Sequence, residues 1–177
     1  LGLITADTLI VGRNTSNDAT SGHITIAGAT NLTGISNLIL RSRSGSVGQS
    51  VGATLGVENL EISLNSGNIS LSQVGNTIRN FTGNTNGTIT LNNSGALNLK
   101  GASSNGNVIS VTTNGNLTVS GAVNATANTT STNVGGGAIT LTSTGGNLRV
   151  QDNAHITSNG YSSGSNTQQT GGTIALN

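Results

Sequence analysis

Short segments recur along the chain in which two aliphatic residues stand at i and i+2 with a small polar residue between them. They are Leu9/Val11, Ile24/Ile26, Leu38/Leu40, Leu60/Ile62/Leu64, Ile69/Leu71, Ile89/Leu91, Leu97/Leu99, Ile109/Val111, Leu117/Val119, Ile139/Leu141, Leu148/Val150 and Ile174/Leu176. A period of two puts alternate side chains on opposite faces and predicts β-strands, not helices. Clusters of Gly, Asn, Ser and Thr separate the segments and predict turns.

The spacing of the segments selects an architecture. Ile69, Ile89 and Ile109 are 20 residues apart, as are Leu71, Leu91 and Val111; Leu97 to Leu117 and Leu99 to Val119 repeat the step, and Leu38 to Leu60 is 22. A repeat of about 20 residues holding two or three short strands predicts an all-β fold, a single-stranded parallel β-helix (β-solenoid), in which each coil buries its apolar edge on the next. An antiparallel sandwich has no reason to preserve such a step. Ile109 to Ile139 is 30 residues and Leu117 to Leu148 is 31, so residues 127–136 read as one inserted loop seen from both columns; residues 159–172 read as a second. A weaker third column is expected through Val123 and Ile156, while residues 42–56 fit the frame poorly.

Composition narrows the picture further. The chain has no Pro, Cys, Met or Trp, one Phe and one Tyr, so the core must be narrow and aliphatic. Without Cys there is no disulfide scaffold. Six basic and five acidic side chains give a net charge of +1, with no basic run beyond Arg41 and Arg43, so no nucleic-acid partner is expected. No stretch approaches the roughly 20 apolar residues of a spanning helix, so no membrane insertion is expected. Residues 1–177 read as a single segment. It opens on Leu rather than Met and shows no capping segment at either end, which predicts an excised or processed piece that continues into, or stacks on, further coils or identical subunits.

Few residues bear chemistry. Asp7, Asp18, Glu58, Glu61 and Asp152 are scattered, and the separation of three between Glu58 and Glu61 would send them to opposite faces of a strand, which argues against a paired acid and base. His23 and His155 each precede an inward Ile and are expected outside the core, without a ligand cluster for a metal. The run Gly135 to Gly137 lacks the Lys and helix of a phosphate loop. No residue is therefore expected to be catalytic, to hold a metal or to bind a cofactor. Asn37, Asn59, Asn68, Asn116 and Asn147 precede strands and are candidates for amides bonded from coil to coil. Thr25, Ser70, Thr90, Ser110 and Thr140 stand between paired aliphatics and predict a hydroxyl row on one outer face. Such a row reads either as a solvated β-face or as a strip for a glycan or, less readily, for ice.

The segments GGAITLTSTGGNLRV at 136–150, SGSVG at 44–48 and LGLITADTLIVG at 1–12 resemble the repetitive passenger regions of filamentous-haemagglutinin-like bacterial exoproteins, and the likeness extends over nearly the whole chain. The resemblance implies a right-handed helix, an extracellular or cell-surface location, a role in adhesion or filament building, and a host or cell-surface glycan or protein receptor. The expected function is a non-enzymatic structural or adhesive segment. The alternatives are a self-assembling fibre subunit, a carbohydrate-active β-helix enzyme and an ice-binding solenoid.

Overall fold

The computed structural model describes residues 6–13, 22–128, 134–162 and 169–177. Asp18, residues 1–5 of the expected N-terminal strand, and the middles of both inserted loops lie outside the described residues. Among those described there are seventeen strands and no helix. Every strand pairing is parallel, in a ten-stranded and a seven-stranded sheet. The exception is one isolated antiparallel bridge, Val134 to Tyr161.

The chain alternates between the sheets. From Ile69–Leu71 in the seven-stranded sheet it passes to Thr77–Asn84 in the ten-stranded one, returns at Ile89–Asn93, crosses to Leu97–Ser103 and returns again at Ile109–Thr113. Each return lands one strand further along. Parallel neighbours cannot be joined by a tight hairpin, so the intervening crossover is obligatory.

Register places like residues in columns. In the seven-stranded sheet Ile24, Val47, Ile69, Ile89, Ile109, Ile139 and Ile174 are successive partners. In the ten-stranded sheet the corresponding column is Leu9, Leu38, Leu60, Phe81, Leu99, Val119 and Val150. A third runs through Val11, Leu40, Ile62, Gly83, Ala102, Val123 and Ile156, so the expected Val123/Ile156 pair belongs to it. The 30-residue step from Ile109 to Ile139 leaves the pairing intact. Residues 42–56, which the repeat frame fitted poorly, contribute the strand Val47–Gln49 and the start of Leu55–Leu64.

One aliphatic core fills the space between the sheets, and Val47, Ile69, Ile89, Ile109 and Ile139 are wholly buried in it. Burying each such side chain contributes roughly 1.5–3 kcal/mol. Phe81 is the largest core residue, and its ring occupies the space over Gly83, where an added Cβ would lie 2.7 Å from Cζ. On the outermost strand Ile174–Leu176 burial falls away: Ile174 is 43% and Leu176 48% exposed, because this strand has a neighbour on one side only.

The corners are packed as tightly as the core. Two residues before the inward Ile or Val of successive strands stand Gly22, Gly45, Gly67, Gly87, Gly137 and Gly172, interrupted by Asn107. A methyl at Gly45, Gly87, Gly137 or Gly172 would overlap the carbonyl oxygen of the preceding corner, and at Gly67 it would lie 2.7 Å from Gly45 O. Buried hydroxyls lock these corners. Thr85 Oγ1 donates to Gly67 O at 2.5 Å and accepts Gly87 N–H at 3.0 Å. Ser158 Oγ does the same with Gly137 O and Gly172 N–H, and Ser42 Oγ with Gly22 O and Gly45 N–H.

Candidate functional site

The five hydroxyl residues expected to form a row do lie in one register line of the seven-stranded sheet. The line reads Thr25, Gly48, Ser70, Thr90, Ser110, Thr140, Ala175, so Gly48 breaks it between Thr25 and Ser70. Thr25 and Ser70 are exposed; Thr90, Ser110 and Thr140 are half-buried. Two residues on, Asn92, Thr112 and Thr142 form a parallel line. Asn92 is turned into the fold's own bonding, since its Nδ2 donates to Ser72 O at 2.6 Å.

The amide row is real but differs in membership. Asn37, Asn59, Asn80 and Asn98 are successive register partners on the outer face of the ten-stranded sheet. Asn98 Nδ2 donates to Asn80 Oδ1 at 3.1 Å, Asn80 Nδ2 to Asn59 Oδ1 at 2.9 Å, and Asn59 Nδ2 to Ser36 O at 3.0 Å. Ser120 Oγ feeds the chain by donating to Asn98 Oδ1 at 2.6 Å. Asn68 and Asn116 serve the backbone instead: their Oδ1 atoms accept the N–H of Thr88 and of Asn147, each at 2.9 Å. Asn80 and Asn98 were missed by the sequence reading; the signal was that Asn80 precedes Phe81 as Asn59 precedes Leu60.

Two buried amides stand in for absent strands. Asn76 Oδ1 accepts Leu55 N–H at 2.9 Å and Asn93 Oδ1 accepts Ile78 N–H at 2.8 Å. Satisfying a buried backbone donor this way is obligatory where a strand ends without a neighbour. The step next to Asn93 opens a groove of about 840 Å³ bordered by residues 31–36, 56–58 and 77–79 and by Asn93, Gly95 and Ala96.

Glu58 and Glu61 do not point to opposite faces as the count of three implied. Both are exposed, because inward alternation slips between Val57 and Leu60 and leaves Glu58 and Asn59 both outside. Glu58 pairs with Arg79 Nε at 3.2 Å, and Glu61 lies 4.0 Å from Arg41. His23 and His155 are exposed, as expected, and His23 Nδ1 accepts Ser46 N–H at 3.1 Å. Among the described residues no three His, Cys, Asp or Glu gather to hold a metal, and no helix is long and apolar enough to cross a membrane.

A smaller hollow of about 310 Å³ lies beside the amide row, lined by Asn37, Asn59, Asn80, Glu61, Thr82 and Lys100 among others. Lys100 occupies a β-bulge: Leu99 pairs with Phe81 and Gly101 with Thr82, which leaves the lysine without a residue opposite. The two inserted loops are tied together near the other sheet, where Val134 and Tyr161 exchange backbone hydrogen bonds of 3.2 and 2.8 Å and Gly136 N–H donates to Thr170 O at 3.1 Å. Compared with protein-family models, curated proteins and solved structures, the chain has no match.

Proposed function

We propose that the chain is a right-handed single-stranded parallel β-helix with coils of about 20 residues, serving as a non-enzymatic structural and adhesive segment of an extracellular bacterial surface protein of the filamentous-haemagglutinin type. The observation that carries this reading is the unbroken column from Ile24 to Ile174, kept in parallel register across steps of 20 to 35 residues. A stack of this kind grows only along one axis, which suits a stalk, and it accepts loops at its corners without disturbing its core. Right-handed coiling is what the family resemblance implies, and it accords with the preference of parallel crossovers. The loops joined at Val134 and Tyr161 are the parts such a stalk would hold out toward a receptor. Further coils, of the same polypeptide or of an identical subunit, cover the exposed inward residues of the outermost strands.

Small-angle scattering of a tandem duplication tests the architecture. Seven rungs at about 4.8 Å each give a body that lengthens by roughly 34 Å per copy at constant cross-section. A duplication that instead swells in all directions refutes the stalk. Incubation with acidic polysaccharides tests the non-enzymatic part, and the release of new chain ends by the purified protein would overturn it.

A further inference from the structure

The hollow on the outer face of the ten-stranded sheet combines three features that do not depend on one another. Its amides are fixed before any ligand arrives: Asn80 Nδ2 donates to Asn59 Oδ1 and, at 3.4 Å, to Glu58 O, while its Oδ1 accepts from Asn98. An amide oxygen has two lone pairs and an amide nitrogen two hydrogens. Asn80 Oδ1 and one N–H of Asn59 therefore remain for a ligand, already oriented, so binding them costs little ordering entropy. Thr82, beside them, makes no side-chain hydrogen bond among the described residues. Lys100 is turned out by the bulge, a device that re-aims a side chain at the point where pairing is interrupted. It has no ion-pair partner among the described residues.

We infer that this hollow binds a short saccharide carrying a single carboxylate per sugar, of the uronic-acid class, with the carboxylate on Lys100 and the hydroxyls on Asn59, Asn80 and Thr82. Glu61, the register partner of Thr82 and 4.0 Å from Arg41, also lines the hollow and is a further acceptor for sugar hydroxyls. A volume of about 310 Å³ is at the small end of ligand sites. No aromatic ring lines the hollow for a sugar to stack on, so a single site is weak and gains by repetition along a surface fibre. The inference rests on the extracellular reading only for where such a sugar would be met.

The test is an amide NMR titration of the whole chain with digalacturonate, alongside cellobiose as the uncharged control. Saturable shifts are expected at Asn59, Asn80, Thr82 and Lys100 with digalacturonate alone, and they should weaken as salt is raised. Lys100→Gln should bind about tenfold more weakly, the loss of one charge-assisted hydrogen bond. Its urea midpoint should be unchanged, because the side chain is exposed. No saturable shift, an equal response to cellobiose, or undiminished binding by Lys100→Gln overturns the site. None of these outcomes bears on the stalk, which the duplication experiment tests separately.

Discussion

Phe81 and Gly83 form a matched pair, and the match can be measured. They are inward residues two apart on the strand Thr77–Asn84, in columns otherwise held by Leu, Ile, Val and Ala. The ring uses the volume that Gly83 leaves empty. A methyl on Gly83 would lie 2.7 Å from Cζ, 2.9 Å from Cε1 and 3.4 Å from Ile69 Cδ1. Phe81 has no exposed surface through which the ring could swing away. Gly83→Ala is therefore an overpacking change of about 1–3 kcal/mol. Lower chain entropy in the unfolded state returns about 0.4–1 kcal/mol, so a net destabilisation centred near about 1 kcal/mol is expected. Phe81→Leu alone leaves a hole and should cost a similar amount. Together the substitutions restore the aliphatic pair found in neighbouring strands. The double variant should be at least about 1 kcal/mol more stable than the sum of the single effects requires. Urea unfolding with an unchanged slope supplies the comparison. If Gly83→Ala is neutral, or if the two effects simply add, the packing argument is wrong.

Ile109→Ala should cost about 2–5 kcal/mol, since the side chain is fully buried, whereas Ile174→Ala in the same column should cost under about 1 kcal/mol because the residue is 43% exposed; urea midpoints of the two variants make the comparison. Thr85→Val removes a buried hydroxyl that serves both Gly67 O and Gly87 N–H, and a loss of about 1–3 kcal/mol is expected by thermal unfolding, while Thr85→Ser should retain most of the stability. Asn76→Leu strips the partner from Leu55 N–H, so hydrogen exchange should accelerate at Leu55 well before it does at Ile89, whose N–H bonds to Val108 O.

Most of the seven-stranded sheet was legible in the sequence because its strands repeat one formula, Ile-x-Leu, Ile-x-Val or Ile-x-Ile, flanked by small polar residues. The strand Val47–Gln49 was not, since Gln49 takes the second inward place and bonds to Asn76 in exchange for an aliphatic contact. Thr77–Asn84 was hidden for a related reason: Phe81 followed by Gly83 fails a search for two aliphatics at i and i+2, although the pair fills the same space. The parity slip between Val57 and Leu60 misplaced Glu58 and Glu61, because strict alternation has no place for two successive outward residues, Glu58 and Asn59. The hydroxyl row was visible because its members share their position with the most regular aliphatic column. The hollow beside Lys100 was not, as a bulge leaves no mark in a single sequence and shows only when the neighbouring strand is in place.

The corner glycines have an evolutionary consequence. Ile, Leu and Val can replace one another down a column at modest cost, because one aliphatic shape resembles the next, but at most of the corners the neighbouring carbonyl leaves no room for even a methyl. Substitution should be tolerated in the interior and purged at the bends, the inverse of the pattern in proteins whose cores are jigsaws and whose turns are free. Descendants of this chain would then be recognised by their punctuation better than by their vocabulary.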